Sequence, residues 1–438
     1  MDSGAIAALI IFGLTYAIIA SGRFHRTVAA LLGAVAMIVV GKLIGFYVQH
    51  QVFQAIDWGT IFLLMGMMII VGLLSETGFF HFLALKITKL SRGRLWPLML
   101  LLASVTAVAS AFLDNVTTVL LMAPIVINIS RTLEIDPMPF LIVEIFSSNI
   151  GGTATLIGDP PNIMIASRAG LSFIDFLVHL TPIVLVVFLI SMGLVRFMFR
   201  RGLNQRVEGI SKVLEIDERE AINDWPLLRK AEAVLGVTLF LFIIHSWLGF
   251  EPWVVAIFGA TLLLALTMAN PERALKHVEW TTLVFFMALF IIVGGLERAG
   301  VIELIAEGMV KITKGHLFLT WMMILWGSAI ASALVDNIPF TAAMIPLIIA
   351  MSKTPAFAAQ LGGFAINPLW WALSLGACLG GNGTLVGASA NVVVAGISEN
   401  MGHPISFLGF MKEGLPFTFV SLIIASLMLY LWVFLLRL

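Results

Sequence analysis

Two aspartates, each followed by asparagine, lie inside apolar stretches of this 438-residue chain. The stretch SAFLDNVTTVLLMAPI contains Asp114 and Asn115, and the stretch SALVDNIPFTAAMIPL contains Asp336 and Asn337. In a membrane an ionisable side chain costs ~3 kcal/mol or more, so it normally faces a cavity or a partner. We therefore expect Asp114 and Asp336 to bind a solute or to carry coupling protons, with helix capping as the structural alternative.

A second pair of motifs combines glycine, threonine and asparagine. Residues 147–167 read SSNIGGTATLIGDPPNIMIAS, and residues 375–396 read LGACLGGNGTLVGASANVVVAG. Glycine weakens a helix, and Pro160 and Pro161 each remove a backbone donor, so both segments predict an interrupted membrane helix. Exposed peptide groups at that depth are tolerated only around a cavity. There, free carbonyls can hold a cation, while hydroxyls and the amino termini of half-helices can hold an anion or a neutral polar solute.

The residues expected to line this cavity occupy matching places in the two motifs. They are Gly151, Gly152, Thr153, Thr155, Gly158, Asp159 and Asn162 in the first motif, and Gly380, Gly381, Asn382, Thr384, Gly387 and Asn391 in the second. For the glycines the alternative is close helix packing. Asp159 has no acidic counterpart, since Ala388 occupies the matching place, so it either makes coupling asymmetric or caps the turn before Pro160.

Four carboxylates are candidate carriers of coupling protons: Asp114, Asp336, Asp159 and Glu144. Glu144 precedes the first break, where it could relay a proton or reach water at the cytoplasmic surface. The sequence contains no Walker loop, no zinc motif and no soluble catalytic domain. We therefore expect no catalytic residue, no metal site and no cofactor beyond a coupling ion, H⁺ or Na⁺.

The composition indicates a membrane protein. Of the 438 residues, 60% are apolar and 11% are charged, against roughly 25% charged in a soluble domain. Apolar runs of about twenty residues, long enough to cross the ~30 Å hydrocarbon core, recur along the chain. The first run lacks the features of a cleaved signal peptide and is expected to remain as a helix. The single cysteine, Cys378, excludes an internal disulfide and a multi-thiolate metal site.

The paired motifs belong to an internal duplication. When the two copies are aligned at a constant offset, Asp114 meets Asp336, and after a short insertion in the second copy Gly151 meets Gly380. A stretch of mixed charge separates the two copies. We predict a first membrane repeat over residues 1–199, a cytoplasmic linker over residues 200–230 and a second membrane repeat over residues 231–438.

The predicted fold class is an all-α, multi-pass protein of the cell membrane, built as an inverted repeat of two five-crossing halves. Each half is expected to contain a re-entrant hairpin, whose tip carries the DN pair, and an interrupted helix. With the amino terminus outside, most of the 25 Lys and Arg residues face the cytoplasm, which is the expected bias. We expect half-length limbs in each hairpin; the alternative is a pair of full-length antiparallel helices. The stretch FFHFLALKITKL is expected to lie along the interface as an amphipathic arm.

The runs SAFLDNVTTVLL, NIGGTATLIGDPPN and GACLGGNGTLVGASANVVVAGISE resemble the melanocyte P protein branch of the ion transporter superfamily. That branch is grouped with arsenite permeases, bacterial sodium/proton antiporters and, more distantly, sodium-coupled dicarboxylate transporters. The resemblance covers most of the chain after about residue 50, apart from the linker. It implies a transport domain that moves against a scaffold, often in a homodimer. It also implies that the hairpin tips contact substrate or ion through Asp114, Asn115, Thr117 or Thr118 in the first tip and Asp336, Asn337 and Thr341 in the second.

These residues favour a secondary transporter that exports a small inorganic solute, such as arsenite or antimonite, by proton coupling. The dicarboxylate relatives carry serine where this chain has Asp114 and Asp336, and an ionised carboxylate repels a dianion. Uncharged arsenous acid could instead bond the aspartates and the amides of Asn115 and Asn337. A sodium/proton antiporter and an anion transporter or channel are the alternatives, whereas an intramembrane aspartyl protease would need neighbouring residues that are absent here.

The expected partners are the transported solute, the lipid bilayer and a second copy of the chain. Export driven by ATP would need a separate ATPase subunit, because the chain has no nucleotide-binding motif. No nucleic acid is expected among the partners, and the net charge of zero indicates neither an acidic nor a basic partner.

Overall fold

The computed structural model is helical, without a strand, in the part of the chain that it describes. The described residues are 2–21, 23–203, 207, 215 and 217–436. Within them, eight helices are long and apolar enough to cross a membrane, or nine if the bent pair Asn337–Ser352 and Pro355–Leu361 forms one span. Residues 204–206, 208–214 and 216 of the predicted linker lie outside the described residues. The prediction of an all-α, multi-pass membrane protein is confirmed.

The described first half folds into twelve helices. They are α1 Ser3–Ala20, α2 Arg26–Ile44, α3 Gln49–Ala55, α4 Trp58–Glu76, α5 Phe79–Ser91, α6 Leu95–Phe112, α7 Asn115–Thr132, α8 Met138–Thr153, α9 Pro160–Ala169, α10 Phe173–His179, α11 Thr181–Met198 and α12 Arg200–Leu203. A short 3₁₀ turn, Glu218–Ala221, precedes the second half.

The described second half folds into eleven further α-helices. They are α13 Trp225–Ile244, α14 Pro252–Thr267, α15 Pro271–Leu275, α16 Trp280–Arg298, α17 Val301–Thr313, α18 Leu317–Val335, α19 Asn337–Ser352, α20 Pro355–Leu361, α21 Pro368–Gly380, α22 Ser389–Asn400 and α23 Phe407–Leu429. A 3₁₀ turn, Gly381–Gly383, follows α21, and a π-helical turn, Tyr430–Leu435, extends α23.

Capping residues and prolines explain where several helices begin. Asp57 and Asp224 each accept a hydrogen bond from an amide in the first turn of α4 and α13. Prolines open α9, α14 and α21, where the missing N–H would have no intrahelical partner in any case.

The helix bounds repeat in the register found in the sequence. Helices α4 and α16 each have 19 residues and begin at the equivalent positions Trp58 and Trp280. Helices α5 and α17 each have 13 residues and also begin at equivalent positions. Positive φ angles recur as well, at Gly78 and Gly300 and at the equivalent ends of α5 and α17. The duplication therefore extends from residue types to backbone conformation.

The two predicted helix interruptions are present. Helix α8 ends at Thr153 and α9 begins at Pro160, while α21 ends at Gly380 and α22 begins at Ser389. Between them the backbone leaves the helical path, except for the short 3₁₀ turn after α21.

The expectation of half-length hairpin limbs is wrong. Helices α6 and α7 have 18 residues each, and α18 and α19 have 19 and 16. The apolar residues continue through both limbs, and the DN pairs interrupt only the turn between them. Since ~20 residues are enough to cross a bilayer, limb length alone fits a re-entrant hairpin and a pair of crossings equally.

The helices pack into two groups, here named the frame and the core. The frame consists of α1 to α4 and α13 to α16, and the core consists of α6 to α9, α11, α18, α19 and α21 to α23. In the frame α2 packs on α16 and α4 on α14, and in the core α7 packs on α22 and α19 on α9. Helices α5 and α17 connect the two groups and pack on α7 and α19. The two halves therefore pack on each other in both groups.

The ends of α4 and α16 show that these two equivalent helices run in opposite directions. Glu76 Oε1, at the end of α4, lies 2.9 Å from Arg273 Nε and 2.8 Å from His277 Nε2, just ahead of α16. Ala55, just ahead of α4, packs on Gly294 near the end of α16, where an added Cβ would lie 2.5 Å from the Ala55 Cβ.

Residues 217–223 pack on the turn between α4 and α5. The Asn223 amide donates to Thr77 O at 2.9 Å, and Lys89 of α5 donates to Glu218. This hydrogen bond from Lys89 holds the pKa of the Glu218 carboxyl below its ordinary value. The described end of the predicted linker is thus attached beside the arm that leads to the first hairpin.

Candidate functional site

Four asparagines connect the first hairpin tip to both helix interruptions. Asn149 of α8 donates through Nδ2 to the Oδ1 atoms of Asn382 and Asn391, each at 2.9 Å. Its own Oδ1 accepts from Asn115 Nδ2 at 3.1 Å. All four side chains are buried. These four asparagines, here named the amide cluster, therefore join the two halves of the chain at one buried point.

The second hairpin tip contacts the first interruption. Asn337 Nδ2 lies 3.2 and 3.3 Å from the two carboxylate oxygens of Asp159, whose side chain is fully buried. Among the described residues no Lys or Arg lies within ion-pair distance of Asp159. An ionised carboxylate here is held by hydrogen bonds alone, so the site favours a proton or another cation beside it.

Both hairpin aspartates cap helices, which is the structural alternative given for them above. Each also directly precedes an asparagine that contacts an interrupted helix. Asp114 accepts from the Thr117 amide at 2.8 Å and from the Thr117 hydroxyl at the start of α7. Asp336 accepts from the Ile338 amide at 3.1 Å at the start of α19. Asp114 is 7% exposed and Asp336 8%, so both residues are buried.

The two repeated asparagines of the interrupted helices bind backbone carbonyls. Asn162 Nδ2 donates to Thr155 O at 2.8 Å, and Asn391 Nδ2 donates to Thr384 O at 2.8 Å. The hydroxyls of Thr155 and Thr384 donate in turn to carbonyls at the ends of the first limbs of the hairpins. These four side chains hold the breaks in shape, and their assignment to substrate stays a prediction.

The hydroxyls of Thr153 and Thr341 are likewise occupied, because each donates to the carbonyl four residues earlier, at 2.7 Å. Three polar atoms in or near the amide cluster, in contrast, have no hydrogen-bond partner among the described residues. They are Asn115 Oδ1, Thr118 Oγ1 and Asn382 Nδ2, all of them buried. A buried polar group without a partner costs about 1–3 kcal/mol, so these atoms suit a polar solute, an ion or water.

The candidate glycines allow the interrupted helices to approach the hairpins. A Cβ on Gly151 would lie 2.1 Å from Ala107 O, and a Cβ on Gly380 would lie 2.5 Å from Cα of Ala329, the repeat equivalent of Ala107. Close approaches of the same kind occur within each break at Gly152, Gly158, Gly381 and Gly387. Close packing therefore accounts for the glycine pairs, and it brings the polar residues together.

Glu144 lies inside the core, not at a surface. Its side chain is 1% exposed and accepts a hydrogen bond from Thr106 of α6. The interpretation that Glu144 reaches surface water is wrong in this conformation, because α6 covers this face of α8.

A cavity of about 390 Å³ lies between frame and core and reaches Asp336. Phe285 of the frame and Val392 of the core line opposite walls, and Arg26 lies beside them. A second cavity, of about 290 Å³, is lined by Leu63 and Ile163, which are the repeat equivalents of Phe285 and Val392.

Sequence reasoning missed Asn149, Ser389 and Arg26. Asn149 has Cys378 as its repeat equivalent, so the comparison of the two copies gave no signal for it. Ser389 matches Pro160 and was missed for the same reason, and Arg26 lies far from every motif in the sequence. The asparagine in SSNIGG, close before the glycine pair, was the one local signal available.

The apolar spans, the interrupted helices and the buried polar cluster together define a multi-pass membrane transporter. The sequence model of the family described as CitMHS, citrate transporter, matches residues 16–376. The chain therefore belongs to the CitMHS family.

Curated relatives agree with this assignment. The chain is 43% identical to a protein of Mycobacterium tuberculosis described as an uncharacterized transporter, over 98% of both chains. It is 37% identical to the human P protein over 95% of this chain and 58% of that protein, which confirms the resemblance to the P protein.

Two solved transporters share the fold at low sequence identity. The MtrF transporter of Neisseria gonorrhoeae, described as one of a class of antimetabolite efflux pumps, superposes with a TM-score of 0.64 at 13% identity, over 99% of this chain and 96% of that one. The YdaH transporter of Alcanivorax borkumensis gives a TM-score of 0.53 at 15% identity, over 88% and 87% of the two chains.

Proposed function

We propose that this protein is a secondary active transporter, in which the core moves a small solute past the frame and the movement is coupled to protons. The observation that carries this proposal is the contact of both hairpin tips with the interrupted helices: Asn115, beside Asp114, joins the amide cluster, and Asn337, beside Asp336, contacts the Asp159 carboxylate. A buried site with three carboxylates and unpaired amide groups has chemistry for both a proton and a polar solute.

The antiparallel course of α4 and α16 supports an inverted repeat. Equivalent helices also pack in a reciprocal way, since α2 packs on α16 of the second half while α14, its equivalent, packs on α4 of the first. The two cavities at equivalent places agree with this arrangement. In transporters built from inverted repeats, alternating access arises when one group of helices moves against the other around a site at their interface. A re-entrant course for each hairpin follows from the same proposal.

We expect cysteine accessibility labelling to place residues 92 and 314 on opposite faces of the membrane. Arg92 and Lys314 are repeat equivalents, each ending the helix ahead of a hairpin with a positive φ. The linker residues from 217 onward should label with Arg92 from the cytoplasmic side, since they pack beside α5. If Arg92 and Lys314 label from the same side, the inverted repeat is wrong.

The site is best suited to an uncharged, hydroxyl-bearing solute, and arsenous acid or its antimony analogue is the proposed substrate. Asn115 Oδ1 can accept from a hydroxyl, and Asn382 Nδ2 can donate to one, because neither atom has a hydrogen-bond partner among the described residues. Citrate or another carboxylate is the second candidate, favoured by Arg26 in the wall of the larger cavity and by the family's description.

Flux into proteoliposomes under an imposed pH gradient tests the proposal. We expect arsenite flux that saturates, follows the gradient and stops when a protonophore removes the gradient. Gradient-driven flux of citrate or sodium in place of arsenite would retain coupling and overturn the proposed substrate. Chloride flux that neither saturates nor responds to the pH gradient would overturn secondary transport in favour of a channel.

A further inference from the structure

One arginine of the frame reaches across to two side chains of the core. Arg26, the first residue of α2, places Nη1 3.3 Å from Asp336 Oδ2 and also donates to the Ser389 hydroxyl. The Ser389 hydroxyl donates to the same carboxylate oxygen of Asp336 at 2.9 Å. The Asp336 carboxylate and the start of α22 are therefore tied to the frame through one guanidinium, beside a second tie in which Tyr16 of α1 donates to Pro339 O of the same hairpin tip at 2.7 Å.

The guanidinium is also held on the frame side. It lies over the Phe285 ring of α16, 5.3 Å from the ring centroid. The amino-terminal ends of α2 and α16 are joined here, since the Thr27 hydroxyl donates to Thr281 O at 3.1 Å. Arg26 is thus fixed to the frame by packing and to the core by charge.

The arrangement occurs at only one of the two equivalent places. Pro160 stands where the second half has Ser389, and α14, the equivalent of α2, begins with Pro252. Among the described residues no Lys or Arg lies within ion-pair distance of Asp114. The two tips also differ in backbone conformation, since Asp114 is extended whereas Asp336 has a φ of 100°, so the contact with Arg26 is a feature of the second tip alone.

We propose that Arg26 is a positioning residue of the transport cycle, which holds the Asp336 tip against the frame in this conformation and releases it whenever the core moves. The inference rests on the proposed alternating access. Because Arg26 belongs to the frame and both its polar partners to the core, relative movement of the two groups separates them.

The exposure of the pair makes such a release feasible. The side chains of Arg26 and Asp336 are 31% and 11% exposed, and both line the cavity of about 390 Å³. Water can solvate each charge after separation, and an ion pair that is partly open to solvent contributes little enough to break in every cycle. The contact therefore biases one conformation without locking it.

The test is the labelling rate of a cysteine at position 392 by a water-soluble maleimide, in protein reconstituted into nanodiscs. Val392 is 52% exposed on the core wall of the cavity, so closure of the cavity would slow its modification. Native Cys378 is fully buried, and protein without the added cysteine provides the baseline. In the Val392→Cys protein we expect Arg26→Gln to lower the labelling rate roughly two- to fivefold. The substitution removes the ion pair that stabilises the conformation described here, in which the cavity beside position 392 is present.

Three further variants make the result specific. Arg23→Gln removes an exposed arginine three residues away and should leave the rate unchanged. Asp336→Asn should match Arg26→Gln, and the two together should add no further change, because both remove the same interaction. An unchanged rate in Arg26→Gln, an equal change in Arg23→Gln, or additive effects would overturn the inference.

The labelling assay needs no substrate, so its failure is separate from failure of the proposed function. Unchanged labelling in Arg26→Gln, with gradient-driven flux intact in the unsubstituted protein, defeats only the role of Arg26. Slower labelling together with the absence of gradient-driven flux supports the role of Arg26 in conformational change and overturns proton-coupled transport.

Discussion

Replacing Asp114 or Asp336 by asparagine is expected to reduce gradient-driven uptake to below about one-tenth of the unsubstituted rate, a loss of ~1.4 kcal/mol or more. The fold should persist, because asparagine caps helices as well as aspartate does. Its side-chain oxygen can still accept from the Thr117 amide at the first tip and from the Ile338 amide at the second. What is lost is the ability to exchange a proton or hold a cation.

The two aspartate variants should differ in their remaining activity. Asp336 forms an ion pair with Arg26, whereas Asp114 accepts its hydrogen bonds from the start of its own helix. We expect Asp114→Asn to exchange substrate across the membrane without responding to pH, since exchange needs binding and movement but no net proton transfer. Uptake and exchange are measured in the same proteoliposomes.

Asp175→Asn is the matched control for both variants. Asp175 belongs to a capping box at the start of α10, away from the polar cluster, so its replacement should leave uptake and the pH profile unchanged. An unaltered rate and pH profile in the Asp114→Asn, Asp336→Asn double variant would show that both carboxylates serve only as caps.

Gly151→Ala is expected to destabilise the protein by about 3 kcal/mol or more. The added methyl would lie 2.1 Å from Ala107 O, and a backbone carbonyl inside a packed helix cannot move aside as a flexible side chain can. Gly380→Ala should behave alike, since its methyl would meet the backbone of Ala329. The measurement is thermal unfolding in detergent, followed by tryptophan fluorescence.

Gly193→Ala tests the same substitution where there is room. Nothing lies within 4 Å of a Cβ at Gly193, which is inside α11. Alanine favours a helix over glycine by up to about 1 kcal/mol, so this variant should be as stable as the unsubstituted protein or slightly more so. Equal melting temperatures for Gly151→Ala and Gly193→Ala would contradict the close approach of α6 and α8.

Repetition within the chain decided which parts of the site could be predicted from sequence. Asp114 and Asp336 stood out because they occupy equivalent positions in the two copies, as do Asn162 and Asn391. The structure brings the motifs that contain them together. Their individual roles depend on which atom each side chain faces, and that follows from helix packing rather than from residue type.

Asn149 and Arg26 are site residues that a comparison of the two copies could not predict. Asn149 connects the two interruptions, yet its equivalent is Cys378, so a comparison of the copies passes over it. Arg26 lies far from Asp336 in the sequence and becomes its neighbour only when frame and core pack together. The length of the hairpin limbs was mispredicted for a related reason, because apolar residues continue past the point where a shorter limb would have ended.

The packing of first-half helices on second-half helices also constrains the order in which the protein can fold during translation. Helix α4 approaches α14 so closely that a Cβ on Gly66 would lie 2.6 Å from the backbone of Ala256, and the chain between these helices must be synthesised before they can meet. Until then, the face of α4 that packs on α14 is turned to lipid or to another protein. Insertion machinery or chaperones that shield such faces should bind the nascent chain until α14 and α16 emerge from the ribosome.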